Sequence, residues 1–242
     1  MPTPPSSPPI HILWTGGWDS TYRVLDLALN HDVEVQPYYV LDPDRASTPV
    51  EIETTEAIRD HLARRSPGAA ARVLPTEHVL FGDIELDDET MKVASTLPIG
   101  SQYGWLACFA KQRGFDVLEM CAVKGHDNMY KLLKDDVTCV EGEAGSTYRL
   151  KKSVSHPGFE IFRRFAFPLF GLTKSDMRRR AESEGILDLM KMTWFCFEPK
   201  GGKPCGHCTP CMVALESGMS WRVPPLRRIR PRLRLVKRAF RR

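Results

Sequence analysis

Leu13-Trp14-Thr15-Gly16-Gly17-Trp18-Asp19-Ser20-Thr21 is the stretch from which the fold is read. Ahead of it, His11 to Trp14 has the character of a short buried strand. Behind it, Asp19 to Leu29 carries Tyr22, Leu25 and Leu29, with Val24 and Ala28, at helical spacing. The reading is strand, glycine turn, helix. Two glycines let backbone N–H groups approach an anion closely, the helix start adds partial positive charge, and Ser20 and Thr21 add hydroxyl donors. An oligophosphate suits these parts, although an ordinary strand-to-helix turn uses the same residues and needs no ligand. The turn has neither G-x-G-x-x-G nor the lysine of G-x-x-x-x-G-K-[ST], so it supports neither a dinucleotide fold nor a P-loop NTPase.

Outward from the turn, strands and helices alternate. A second strand is expected at Pro37 to Leu41, with Pro37 confined to its beginning because proline cannot donate to a ladder. A helix follows over Val50 to Arg65, stopped by Pro67-Gly68, then a third strand over Val73 to Leu80. Asp83 to Leu97 is polar and acidic and carries no clear pattern. Gly100 and Ser101 introduce a helix through Lys111 that ends at Gly114, and Val117 to Val123 reads as a central strand buried on both faces. Gly125 to Leu133 is loop and helix, Glu141 to Ser153 an exposed hairpin or loop, and Phe162 to Leu169 a strand. Thr173 and Asp176 form a capping box for a helix that Gly185 terminates. The sum is an α/β protein with a parallel, doubly wound sheet, helices on both faces, and ligands at the carboxyl ends of the strands.

The 242 residues suffice for a substantial core, and 42% hydrophobic with 26% charged residues is ordinary globular usage. No apolar run approaches the roughly 20 residues that span a bilayer. The proline-rich leader, residues 1–10, lacks the form of a secretory signal, so cytoplasm is the expected compartment. The net charge of +4 conceals an asymmetry: Trp221 to Arg242 holds ten Lys/Arg and no acid, leaving 24 basic against 30 acidic residues in 1–220. The tail, residues 221–242, suits RNA, an anionic membrane or an acidic protein; a solvated tail or one docked on the acidic body reads equally well.

Cys196, Cys205, Cys208 and Cys211 give C-x₈-C-x₂-C-x₂-C, with Gly201, Gly202 and Gly206 permitting tight turns. Four thiolates close a tetrahedron around Zn²⁺ and leave no open position, so the metal is expected to be structural, in an element spanning residues 193–220. An iron–sulfur cluster uses similar ligands and is the lesser reading, and disulfides suit the compartment least. His207 reads as an exposed loop residue.

The glycine turn resembles the S-G-G-x-D-S signature of the PP-loop ATP pyrophosphatases, with Thr15 in the serine place. Phe167-Pro168-Leu169-Phe170-Gly171-Leu172-Thr173-Lys174, then Thr193-Trp194-Phe195-Cys196-Phe197 and the cysteine cluster, resemble the 7-cyano-7-deazaguanine synthases within that superfamily. The resemblance implies a Rossmann-like PP-loop domain over residues 11–192, in which Thr15, Gly16, Gly17, Trp18, Asp19, Ser20 and Thr21 hold ATP. It implies Asp19 as a Mg²⁺ ligand or helix cap, Trp18 as packing or lid, and Lys174 as the cation that neutralises phosphate or carboxylate; the plain alternative for Lys174 is a solvated residue. The implied activity is a ligase: a 7-carboxy-7-deazaguanine-like acid is adenylated, ammonia gives the amide, and a second activation gives the nitrile for queuosine-type synthesis. Homodimers are usual in that family. The middle departs from the pattern, since Leu97-Pro98-Ile99-Gly100-Ser101-Gln102 lacks the usual P-x-R-N element and Gly125-His126-Asp127-Asn128-Met129-Tyr130 matches the substrate element loosely. Gln102, Asp127 and Tyr130 are the substrate candidates, with capping by Asp127 and packing by Tyr130 as the alternative. These losses open two further readings: a paralogue that passes an acyl group to another amine, and a non-catalytic nucleotide-binding module. A PP-loop tRNA thiolase requires a reactive cysteine beyond the zinc cluster.

Overall fold

The computed structural model describes residues 8–125, 127–216 and 219–228. Residues 1–7 of the proline-rich leader, His126 of the substrate element and residues 229–242 of the basic tail lie outside the described residues. In chain order the elements are β1 (Ile10–Leu13), α1 (Trp18–Asn30), β2 (Val35–Leu41), α2 (Thr48–Arg65), α3 (Pro67–Arg72), β3 (Glu77–Leu80), α4 (Asp88–Thr96), α5 (Gln102–Gln112), β4 (Leu118–Glu119), α6 (Asn128–Leu133), β5 (Val137–Gly142), β6 (Gly145–Leu150), β7 (Phe165–Ala166), α7 (Lys174–Ser183), α8 (Leu187–Lys191) and α9 (Thr209–Glu216). Short 3₁₀ turns add Pro157–Phe162, Ser220–Arg222 and Pro225–Arg227.

Five strands form one sheet in the order β3-β2-β1-β4-β7, every neighbouring pair parallel. Alternation along β1 explains the two faces. Ile12 points into a cluster with Trp14, Leu25, Ile58, Leu62, Met177 and Met190, on the side of α1, α2, α7 and α8. Leu13 packs on the opposite cluster, built from Phe109, Leu118, Phe162, Phe165 and Phe167 beside α5. The sheet is therefore flanked by helices, as the alternating pattern requires. The strand order reverses between β1 and β4, which opens a crevice at their carboxyl ends.

Several elements differ from the sequence reading. Pro37 stands third in β2, a strand with a neighbour on each side, rather than at its start. Tyr38 O accepts from Trp14 N at 2.9 Å, so by alternation Pro37 turns its backbone toward β3, whose pairing begins only at Tyr38–Glu77. The missing N–H thus falls where no ladder partner stands, and Gln36 Nε2 bridges the gap to Pro37 O at 3.1 Å and Pro75 O at 3.0 Å. The helix ending at Arg65 is followed at once by α3, which Pro67 opens because its fixed φ suits a first helical position. The acidic stretch before Leu97 contains α4, capped by Asp87, whose carboxylate accepts from Glu89 N. The expected strand over Val117 to Val123 pairs only at Leu118–Glu119, although Met120, Ala122 and Val123 stay buried. The expected strand over Phe162 to Leu169 likewise pairs only at Phe165–Ala166.

Glu119 is the unexpected member of the apolar central strand. Arg23 of α1 donates to it bidentately, at 2.7 and 2.9 Å, with both side chains buried, and also donates to Ala144 O at 3.1 Å. One buried guanidinium thereby ties α1, the central strand and the tip of the β5–β6 hairpin together.

Candidate functional site

The turn after β1 is shaped by its two glycines differently. Gly16 has φ +68°, and a Cβ there would lie 3.2 Å from Glu51 O and from Thr54 Cγ2 of α2. Its carbonyl accepts from Trp194 N at 2.8 Å. Gly16 is thus fixed by packing beneath α2 and by the Thr193-Trp194 segment. Gly17 is the N-cap of α1, in an extended conformation at φ −72°, and its edge borders a cavity of about 280 Å³, near the small end of ligand clefts.

Thr15, Gly17, Trp18, Asp19, Ser20 and Gln102 line this cavity. Thr21 does not: it is fully buried, and its hydroxyl accepts from Trp14 Nε1 at 2.9 Å. Asp19, in the first turn of α1, pairs through Oδ2 with Lys174 Nζ at 3.2 Å. Its Oδ1 is buried without a hydrogen-bond partner among the described residues, as is Trp18 Nε1. Lys174 reaches this point because the capping box is formed as read: Thr173 Oγ1 accepts from Asp176 N at 3.1 Å, and Asp176 Oδ2 accepts from Thr173 N at 2.9 Å.

Asp127 and Tyr130 serve other purposes. Asp127 caps α6, accepting from Met129 N at 2.8 Å, and also accepts from Val123 N at 3.4 Å. Burial pushes its carboxyl up, the two amide bonds oppose that rise, and the Asp19 charge adds to it. Tyr130 packs against Phe170 with ring centroids 4.9 Å apart. Neither borders the cavity, and the capping and packing alternatives describe their contacts.

Two lining residues, Arg45 and Cys121, escaped the sequence reading. Arg45, just past β2, pairs with buried Glu51 at 2.8 Å, and Tyr39 and Ser47 also donate to that carboxylate. Its guanidinium lies 5.4 Å from the Phe197 ring, so the cysteine element closes one wall of the cavity. The only signal for Arg45 was its place at the carboxyl end of a strand. Cys121 also lines the cavity, but burial first, and the neighbouring Glu119 charge next, raise its thiol well above the usual range. A thiol raised in this way is a poor nucleophile, so Cys121 is not suited to be the reactive cysteine that a thiolase requires. Arg222 does not line the cavity, but its guanidinium stacks 4.3 Å from the Phe195 ring and 5.8 Å from the ring of Trp18, which does.

The four cysteines converge. Their Sγ atoms all lie within 4.8 Å of one another, and all four side chains are buried. Cys205 N donates to Cys196 Sγ at 3.1 Å, Cys208 N to Cys205 Sγ at 3.3 Å, and Gly206 N to Cys211 Sγ at 3.4 Å. Such N–H···S bonds stabilise thiolates, and without a cation burial pushes the Cys196 thiol up to about 12. The donor set, spacing and closed shell fit a tetrahedral zinc ion. His207 stays on the exposed rim, 3.7 Å from Glu198.

The fold and site together define an α/β protein with a parallel sheet, a glycine-turn crossover at its carboxyl edge and a tetracysteine element able to hold zinc. A family model described as queuosine biosynthesis protein QueC matches residues 152–219. That span contains β7, α7, α8, Lys174, Trp194 and all four cysteines, while the glycine turn lies outside it. No curated protein matches the chain. Among the described residues no helix is long and apolar enough to cross a membrane.

Proposed function

We propose that the protein is an ATP-dependent, adenylating C–N ligase that converts a 7-carboxy-7-deazaguanine-like carboxylate with ammonia to the amide and then the nitrile. One observation carries the reading. Lys174, from the segment that resembles the queuosine family, meets Asp19 of the glycine turn at 3.2 Å beside one cavity, and Trp194 N binds Gly16 O at 2.8 Å. Two motifs far apart in sequence are thus parts of one site.

In this reading Gly17 and Ser20 hold phosphate oxygens at the N-terminus of α1, where backbone N–H groups and the helix dipole favour anions. Lys174 neutralises charge between phosphate and substrate carboxylate. The unpartnered Asp19 Oδ1 is the atom suited to Mg²⁺, which when bound spreads the charge developing on the phosphates. The substrate carboxylate attacks the α-phosphorus, pyrophosphate leaves, and ammonia then displaces AMP. The amide oxygen is activated the same way and leaves with a second AMP. The four cysteines hold a structural zinc that fixes the Trp194 segment and Phe197 against the turn. A cytoplasmic homodimer, with the basic tail over residues 221–242 serving RNA, an anionic membrane or an acidic protein, completes the proposal.

A second reading, transfer of the acyl group to a different amine, is favoured by Asp127 and Tyr130 having gone to capping and packing. ATP–pyrophosphate exchange over a panel of acids tests both. Exchange that depends on a carboxylated deazapurine is expected; tight ATP binding with no exchange for any acid would point instead to a non-catalytic nucleotide-binding module.

A further inference from the structure

We infer that Arg222 is an anion-binding residue of the glycine-turn site, delivered by the C-terminal segment to the diphosphate or triphosphate group that the turn holds. The inference rests on the proposed function and extends its ligand set. Arg222 Cζ lies 4.3 Å from the Phe195 ring centroid, 5.8 Å from Trp18 and 5.9 Å from Trp221. Trp18 is the first residue of α1 and lines the cavity, so the guanidinium stacks against the side chain that opens the helix. Its hydrogen bonds go to the Thr193 carbonyl and, at 2.9 Å, to the Thr193 hydroxyl, neither of which carries charge.

The acidic groups whose fields support Arg222 are Asp19, which is already paired with Lys174, and then Cys211 of the cysteine set. Burial pulls the guanidinium down to about 10, against the opposing fields of Asp19 and Cys211. Lys174 and Arg222 thus both lie within reach of the field of Asp19, and a polyphosphate held at the first turn of α1 is a ligand that both cations can serve.

The position is built, because the segment that carries Arg222 is clamped to the cysteine element. Arg227 donates to Lys203 O at 3.0 Å, Pro204 O at 2.9 Å and Lys200 O at 3.0 Å. Gly206 runs at φ +84°, and a Cβ there would come within 2.5 Å of Arg227 O, so only glycine lets the two segments close. Val223 is fully buried among the cysteines. A metal-filled cysteine element therefore presents Arg222 to the turn.

The test is calorimetric titration of the zinc-loaded full chain with magnesium pyrophosphate, ATP and AMP, for wild type, Arg222→Met and Arg222→Lys, with zinc content and melting temperature measured alongside. Arg222→Met is expected to weaken pyrophosphate and ATP roughly 10- to 100-fold, as loss of a charge-assisted contact implies, while AMP changes by less than about 2-fold. Arg222→Lys keeps the charge but loses the planar stacking and the Thr193 geometry, and should recover most of the pyrophosphate affinity. If Lys behaves like Met, or if AMP weakens as much as pyrophosphate, Arg222 is only a brace between segments and the inference falls. A wild-type chain that binds neither ATP nor pyrophosphate would remove the proposed function itself, whereas wild-type binding left intact in Arg222→Met removes only this inference.

Discussion

Placing one methyl group on each of the two turn glycines should separate architecture from ligand binding. At Gly16 the backbone is left-handed, φ +68°, which costs a non-glycine residue about 1–2 kcal/mol. The new Cβ would also press on Glu51 O and Thr54 Cγ2 at 3.2 Å and Thr55 Cγ2 at 3.3 Å, and overpacking of this kind adds roughly 1–2 kcal/mol. Gly16→Ala should therefore lower stability by about 2–4 kcal/mol, a fall in melting temperature of roughly 5–15 °C for a chain of this size. At Gly17 the conformation is one any residue adopts, and the nearest atoms to a Cβ are Thr15 Oγ1 at 3.5 Å and Trp194 O at 3.9 Å. Gly17→Ala should melt within about 2 °C of wild type, since surface-like changes without strain cost little. It should nevertheless lose at least about tenfold in ATP affinity, because the methyl stands where phosphate must approach the backbone. Differential scanning fluorimetry and ATP titration on the same samples read both effects. Equal destabilisation of the two variants would overturn the packing argument, and wild-type ATP affinity in Gly17→Ala would overturn the cradle.

Four other perturbations follow from named contacts. Glu119→Ala leaves the buried Arg23 charge only its pairing with Asp26 at 3.2 Å and should cost about 2–4 kcal/mol by chemical denaturation, whereas Arg23→Met with Glu119→Leu should recover most of it; a single-variant loss under about 1 kcal/mol would contradict the pairing. Cys208→Ser should abolish stoichiometric zinc, about one per chain in the wild type, and release the Trp194 segment, detectable as faster exchange of the Trp194 amide that binds Gly16 O; zinc retained at full occupancy would refute the ligand set. Lys174→Met should leave folding intact but cut adenylation strongly, and normal pyrophosphate exchange would exclude the lysine from the site. Asp127 has a folded pKa raised by burial, so its contribution to stability is greatest below the unfolded carboxylate range and is lost as pH rises through the folded value. Asp127→Asn, which preserves a capping acceptor, should accordingly be stabilised relative to wild type at pH 7 and lose that advantage near pH 4; an advantage that does not change with pH would show that ionisation is not its source.

What could be read from the sequence were the features whose chemistry is local. The strand–glycine–helix crossover, the Thr173–Asp176 capping box and the cysteine spacing each declare themselves within a few residues, and each is found. Features that depend on distant partners were silent. Pro37 looked like a strand opener because the sequence does not reveal that β3 starts late and that Gln36 covers the gap. Helix α4 was hidden by acidic composition, its Asp87 cap indistinguishable from its acidic neighbours until the backbone turned. Val117 to Val123 looked like a full strand because burial, rather than pairing, sets its composition. Arg45 and Cys121 come to the cavity from two separate segments, and Arg222, stacked on Phe195 and near Trp18, read as one more residue of a basic tail. Thr21 matched the phosphate-loop pattern in type but spends its hydroxyl on Trp14.

The account's centre is that ATP is split between its α- and β-phosphates at the turn formed by Gly16 and Gly17. Phosphorus NMR of the reaction with a carboxylated deazapurine and ammonia reads this directly. AMP and pyrophosphate, formed in equal amounts and dependent on the acid, are the expected products; ADP and inorganic phosphate in their place would contradict it.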